Sequence, residues 1–199
     1  MKSAIIILAA GSSSRMGQSK QLLKVGDDTL LMRAVRVARA SGNHPTIVVL
    51  GAEEDRHRKE IETLGVDVVH NSLWKTGMGS SLKTGLQYVL KKFPNVESVV
   101  VMVCDQPLLT ADHLKKLISK HETTGKAIIA SQYDGVAGVP ALFGKITFQE
   151  IKSLPDDQGA KKIIQQHFSE VITVAFPEGA VDLDTPEDYR GFIKGIGKK

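Results

Sequence analysis

Two cations and two carboxylates stand in turn-like sequence that suits anion and metal chemistry: Arg15, Lys20, Asp105 and Asp184. The cations belong to Leu8-Ala9-Ala10-Gly11-Ser12-Ser13-Ser14-Arg15-Met16-Gly17-Gln18-Ser19-Lys20, directly after an apolar run. Small residues from Ala9 to Ser14 let the backbone approach a ligand closely and offer N–H donors to phosphate oxygens. With Arg15 and Lys20 added, the loop has what a polyphosphate requires. Two commoner phosphate loops are excluded by spacing. A Walker loop needs Lys directly after its second Gly, but Gln18 and Ser19 separate Gly17 from Lys20. Ser13 stands where Gly-x-Gly-x-x-Gly needs its second Gly. On local sequence alone, an ordinary Gly/Ser turn with solvated cations fits equally well.

Asp105 lies in Cys104-Asp105-Gln106-Pro107, at the exit of the apolar run Ser98–Val103. Beside a triphosphate a carboxylate is repulsive unless a divalent cation intervenes, and Mg²⁺ commonly binds one or two carboxylates plus phosphate oxygens. Asp105 is therefore the leading metal ligand; the alternative is a turn cap before Pro107. In Asp182-Leu183-Asp184-Thr185-Pro186-Glu187-Asp188, Thr185 reads as an N-cap and Pro186 as the first helical residue. Glu187 and Asp188 suit the positive end of the helix. Asp182 and Asp184 have weaker structural explanations. The stretch Asn71–Leu82 holds Gly79, Ser80 and Ser81 at a helix start, with Ser80 as N-cap candidate and Trp74 either lining a pocket or plugging the core. Cys104 has no activating neighbour and reads as a buried thiol. The six histidines show no zinc spacing.

As one string, Leu8 to Lys20 resembles the Leu-Ala-x-Gly-x-x-x-Arg-Met-Gly-x-x-Lys signature of nucleotidyltransferases. More narrowly it resembles the molybdenum cofactor cytidylyltransferase family and its guanylyl-transferring relatives. The resemblance implies that Leu8, Ala9, Ala10, Gly11 and Ser12 wrap a nucleoside triphosphate, with Arg15 on its phosphates and Lys20 near the α-phosphate. It implies that Asp105 and Asp184 share Mg²⁺, and that Gly79, Ser80 and Ser81 lie beside the nucleoside. Gly138-Val139-Pro140 is similar to a Gly-x-Pro strand near the second substrate. Asp157-Gln158-Gly159-Ala160-Lys161 is similar to Asp-x-Gly-Ala-Arg, with Lys161 where Arg is usual; Lys lacks the planar bidentate phosphate contact.

The activity so implied is transfer of CMP from CTP to the phosphate of molybdopterin, with release of pyrophosphate and a molybdenum enzyme as recipient. Ala10 favours CTP, since Leu-Ala-Ala-Gly is typical of cytidylyl transfer in this family and Leu-Ala-Gly-Gly of guanylyl transfer. Rival readings are transfer of a guanylyl group, cytidylyl transfer to a sugar or isoprenoid-precursor phosphate, and a nucleotide-binding accessory protein that delivers cofactor without chemistry.

The elements that must carry these residues alternate along the chain. Ser3–Leu8, Thr46–Leu50, Val66–His70, Ser98–Val103, Ala127–Ser131 and Val171–Ala175 are near-continuous apolar runs, as in strands buried on both faces. Amphipathic helical patterns cover Thr29–Ala40, Glu53–Leu64, Ser80–Lys92, Ala111–His121 and Pro186–Lys194. Residues 1–199 therefore read as one α/β domain: a three-layer, doubly wound, mostly parallel, Rossmann-like sheet. Tyr133–Gly144 breaks the rhythm and predicts a turn followed by an irregular strand Val139–Phe143, antiparallel at the sheet edge.

Composition narrows the partners. A hydrophobic share of 42% and a charged share of 24% are globular values. The longest apolar runs, Ala4–Ala10 and Val99–Val103, fall far short of the roughly 20 residues of a membrane span. Aromatics at 5%, with no cation block among them, argue against a nucleic-acid surface. The single cysteine excludes an intramolecular disulfide and fits a reducing cytoplasm.

Overall fold

The computed structural model describes residues 3–196. One seven-stranded sheet organises the chain. Its strands are β1 (Ser3–Leu8), β4 (Thr46–Leu50), β5 (Asp67–His70), β6 (Ser98–Val103), β7 (Ile128–Tyr133), β8 (Val136–Gly144) and β9 (Ile172–Ala175). Two short strands, β2 (Lys24–Val25) and β3 (Asp28–Thr29), pair only with each other. The order across the large sheet is β5-β4-β1-β6-β8-β7-β9. β1 lies inside the sheet between β4 and β6 and parallel to both, with Leu8 opposite both Val49 and Val103. The loops after β1 and β6 thus leave the same edge of the sheet side by side. In open α/β sheets that edge is where ligands bind.

Alternation along β1 feeds two cores. Ala4, Ile6 and Leu8 face Leu82, Leu86 and Val89 of α3 (Met78–Lys92), with α5 (Phe148–Ser153) and α6 (Ala160–Gln166) on the same side. Ile5, Ile7 and Ala9 face α1 (Leu30–Ala40), α2 (Glu54–Ile61) and α4 (Ala111–Thr124) through Leu31, Val35, Ile61, Leu114 and Leu117. Each fully buried Ile contributes about 1.5–3 kcal/mol, so β1 is a rigid base for the loop that follows it. A third, smaller cluster gathers Met16, Leu23, Val25, Leu30 and Leu183, with Tyr189 and Phe192 of α7 (Pro186–Ile196) against it. It ties the loop after β1 to the C-terminal segment.

Most boundaries follow from local chemistry. Thr29 caps α1 by accepting from the Met32 amide at 3.2 Å. Thr185 and Asp188 form a reciprocal cap at α7: Asp188 N donates to Thr185 Oγ1 at 3.2 Å and Thr185 N to Asp188 Oδ2 at 2.8 Å. β8 corrects the expected edge strand. It lies inside the sheet, antiparallel to both β6 and β7. The β7 ladder passes from Ala130↔Ala141 to Ser131↔Gly138, which leaves Val139 and Pro140 in a bulge, and pairing to β6 begins only at Ala141. Pro140 has no N–H and sits where neither ladder needs one.

Candidate active site

Lys20 is the centre of the site. Its ammonium donates to Asp105 Oδ2 at 2.5 Å and to Asp184 Oδ1 at 2.9 Å, while Arg15 meets Asp184 Oδ2 at 2.9 Å. The two carboxylates come from the β6 exit and from the loop before α7, and the Leu183 amide donates to the Asp105 carbonyl at 3.1 Å. Burial opposes charge on Lys20, but the charge of Asp105 and hydrogen bonds to both carboxylates outweigh it and raise its pKa above the usual lysine value. The hydrogen bond from Lys20, with the charges of Lys20 and Arg15, holds the Asp184 carboxyl below the usual carboxylate range against the opposing effect of burial. Asp182 moves the other way, raised by burial and by the charges of Asp184 and Asp105. Arg15 is exposed, whereas the Lys20 and Asp105 side chains retain 20% and 17% of their accessible surface, so their pair is less screened than a surface ion pair.

Asp105 and Asp184 converge on one ammonium, so they also converge on a point where a cation is favourable. Among the described residues no three His, Cys, Asp or Glu side chains gather into a metal-holding cluster. Two hard carboxylates would leave further coordination positions to phosphate oxygens and water, a donor set that fits Mg²⁺.

Beside this pair opens a cleft of about 330 Å³. Leu8, Ala9, Ala10, Gly11 and Ser12 form one wall, Lys20, Gln21, Cys104 and Asp105 the floor, and Trp74, Lys75, Met78 and Ser81 the other wall. Trp74 is half-buried and does both things expected of it, lining the cleft and packing on the core beneath. A Cβ on Gly51 would meet Trp74 Cβ at 2.6 Å and the Ala10 carbonyl at 2.8 Å, so that glycine lets the indole close on the loop. Gln21, Lys75 and Met78 escaped the reading of the sequence. Gln21 alone left a signal, as a polar residue next to Leu22 and Leu23 in a loop otherwise rich in small residues.

The start of α3 departs from expectation. The helix begins at Met78, so Ser80 lies inside it and is not its N-cap. The amides of Gly79 and Ser80 donate to the Asp156 carbonyl at 2.8 and 3.4 Å, and a Cβ on Gly79 would meet the Pro155 carbonyl at 2.3 Å. The Ser80 hydroxyl lies 2.8 Å from the Gly77 carbonyl and accepts from Asn71 Nδ2 at 2.9 Å. Gly79 and Ser80 therefore dock the 155–158 loop onto α3, and of the three only Ser81 lines the cleft.

Asp157 on that loop and Lys161 on α6 are both exposed and outside the cleft lining. Gly138 and Pro140 are buried. Tyr133 Oη stands 2.4 Å from where a Gly138 side chain would begin. Their segment reaches the Asp105 loop through Gln106, whose Nε2 donates to the carbonyls of Val139 and Gly179 at 3.2 Å each. Cys104 is a buried thiol, pushed up to about 12 by burial and the charge of Asp105, and no histidine lines the cleft.

Small-residue backbone on one side, and a lysine paired with two carboxylates on the other, suit the movement of a phosphate-linked nucleoside rather than an acyl group; the chain is a nucleotidyltransferase. Residues 5–171 match the MobA-like NTP transferase domain, and the chain belongs to that family. It is 26% identical over 198 residues, 92% of each chain, to the purine catabolism protein PucB of Bacillus subtilis (strain 168). It is also 26% identical over 186 residues, again 92% of each chain, to the molybdenum cofactor cytidylyltransferase of Escherichia coli (strain K12). The crystal structure of Rv0371C from Mycobacterium tuberculosis H37Rv in complex with manganese superposes with a TM-score of 0.78 at 28% identity, covering 98% of this chain and 99% of that one. No helix among the described residues is long and apolar enough to cross a membrane.

Proposed function

We propose that the protein transfers CMP from CTP to the phosphate of molybdopterin, releasing pyrophosphate in a Mg²⁺-dependent reaction in the cytoplasm. The dinucleotide cofactor would then pass to a recipient molybdenum enzyme. The observation that carries this reading is the Lys20 ammonium set between Asp105 and Asp184 at the floor of a cleft walled by the backbone of residues 8–12. An acceptor phosphate is already anionic near neutral pH, so no strong base is needed, which agrees with a cleft free of histidine. What remains is alignment of two phosphates and neutralisation of charge during in-line displacement.

Lys20 would offset charge on the α-phosphate, and the exposed Arg15 on the departing pyrophosphate. Asp105 and Asp184 would hold Mg²⁺, which when bound supplies further positive charge to the phosphate oxygens. Ala10 and Ser81, which line the cleft together with Trp74, are the candidates for a choice of base. CTP is favoured by Ala10 within Leu-Ala-Ala-Gly and by similarity over nearly the whole chain to a cytidylyltransferase. A delivery protein that performs no chemistry would not need this arrangement of a lysine and two carboxylates.

The test is pyrophosphate release from CTP and from GTP with Mg²⁺, each with and without molybdopterin. Release from CTP that depends on molybdopterin is expected. Release that instead requires GTP, or a sugar phosphate as acceptor, overturns the substrate assignment, and no release with any of these acceptors overturns the enzymatic reading.

A further inference from the structure

Gln21 makes four hydrogen bonds, all to the loop that precedes it. Its Nε2 donates to the Ala9 carbonyl at 3.0 Å and to the Gly11 carbonyl at 2.8 Å. Its Oε1 accepts from the hydroxyls of Ser13 at 2.9 Å and Ser19 at 3.0 Å. The side chain is thereby fully used, and the residue keeps only 1% of its surface. Ser13, so held, sits at φ +55°, a left-handed conformation that serine rarely adopts, and its hydroxyl also receives the Lys20 amide at 3.0 Å.

A second anchor comes from α2. The Ser19 hydroxyl lies 2.6 Å from His57 Nε2. With that hydroxyl donating to Gln21, the proton between Ser19 and His57 is assigned to His57 Nε2. Burial lowers the His57 pKa, which agrees with this state. Gln21 and His57 therefore template the loop from inside the protein, and neither is part of its outward-facing cationic set.

We propose that Gln21 is the positioning residue of the phosphate loop, shaping residues 9–13 and presenting Lys20 to the reacting phosphates, with His57 fixing Ser19 as the second anchor. This rests on the nucleotidyl-transfer reading of the cleft for its functional part, but not for its structural part. No other element could easily replace Gln21: an ordinary surface loop would leave the Ala9 and Gly11 carbonyls to water, and here one amide holds both.

The experiment uses the full chain in two arms. In the nucleotide-free protein, amide hydrogen exchange of peptides covering residues 9–20 should be at least tenfold faster in Gln21→Ala and Ser19→Ala, with β1, β6 and α4 unchanged. In the second arm, kcat and KM for CTP are measured with Mg²⁺ and molybdopterin. Gln21→Ala should lower kcat/KM for CTP at least tenfold while KM for molybdopterin stays within about twofold, a split that general destabilisation would not produce. His57→Gln, which can still donate to Ser19, should restore most of what His57→Leu loses. Unchanged exchange in residues 9–20 overturns the proposal whatever the substrate. Faster exchange with unaltered CTP kinetics overturns its functional part. If the unmodified protein releases no pyrophosphate while the exchange result holds, the substrate reading fails and the loop assignment stands. Should Gln21→Ala not fold, Ser19→Ala and the His57 pair carry the same readouts.

Discussion

The Leu183 amide donates to the Asp105 carbonyl at 3.1 Å, and this single bond joins two loops that lie far apart in the sequence. Leu183 is itself fully buried in the cluster with Met16 and Leu23. The same residue thus packs against the loop carrying Arg15 and Lys20 and fixes the distance between Asp105 and Asp184. The carboxylates meet because a hydrophobic side chain between Asp182 and Asp184 is pinned.

Replacing either carboxylate by its amide keeps the shape and removes the charge. Asp105→Asn and Asp184→Asn should each fold normally and lose at least about 100-fold in Mg²⁺-dependent turnover, about 2.7 kcal/mol in transition-state free energy. Titrating turnover against Mg²⁺ checks this. Near-normal activity of one variant at limiting Mg²⁺ would remove that carboxylate from the metal site.

Lys20→Ala should lower kcat more than it raises KM for CTP, because its charge matters most as charge develops on the reacting phosphates. The variant also leaves Asp105 without its 2.5 Å partner, so a modest loss of thermal stability is expected alongside. A raised KM with unchanged kcat would recast Lys20 as a ground-state anchor.

On the proposed reading, base choice would divide between Ala10 and Ser81. Ala10→Gly removes one methyl from the cleft wall, a change worth about 1–3 kcal/mol in discrimination, so GTP use should become measurable without displacing CTP entirely. Competition assays with equal CTP and GTP on Ala10→Gly and Ser81→Ala separate the two. Ser80→Ala should leave the ratio unchanged, since its hydroxyl is held by Asn71 and the Gly77 carbonyl. A shift in a serine variant alone refutes the role of Ala10.

His113 gives the fold a pH dependence remote from the site. It is buried against Phe176 with centroids 4.5 Å apart, and its Nε2 lies 2.7 Å from Ser131 Oγ. Burial, aided by the charge of Lys116, lowers its pKa from 6.5 to about 4. Between these values the unfolded chain binds more protons than the folded one, so stability falls as pH drops through that window and the loss is complete below about pH 4. Between pH 7 and 5 the loss from this group is about 2 kcal/mol. Urea unfolding at both pH values should show a smaller difference in His113→Phe; an equal difference would exclude His113 as its source.

The sheet was legible because strands buried on both faces are written as unbroken Ile and Val runs, and Ser3–Leu8, Thr46–Leu50 and Ser98–Val103 appear with those bounds. Arg15, Lys20 and Asp105 were legible as types at strand exits. Their pairing through Leu183 was not, since no local pattern marks which apolar residue pins a loop. Gly79 and Ser80 looked like donors to a ligand because the acceptor of their amides, the Asp156 carbonyl, comes from a distant stretch. Val139–Phe143 looked like an edge because Gly138 and Pro140 weaken a ladder, and only the bulge against β7 reconciles them with an interior place. The six- and seven-residue helices α5 and α6 are too short for periodicity to show.

The large sheet closes at Ala175, whereas Asp184 and the Leu183 that seats it come afterwards. A chain emerging N-terminus first during synthesis would therefore own a finished scaffold, with Lys20 facing Asp105 alone, before it owned a finished catalyst. On the proposed chemistry, activity would arrive only with completed synthesis: a nascent or prematurely terminated chain ending after Ala175 would retain every strand and yet lack the second carboxylate.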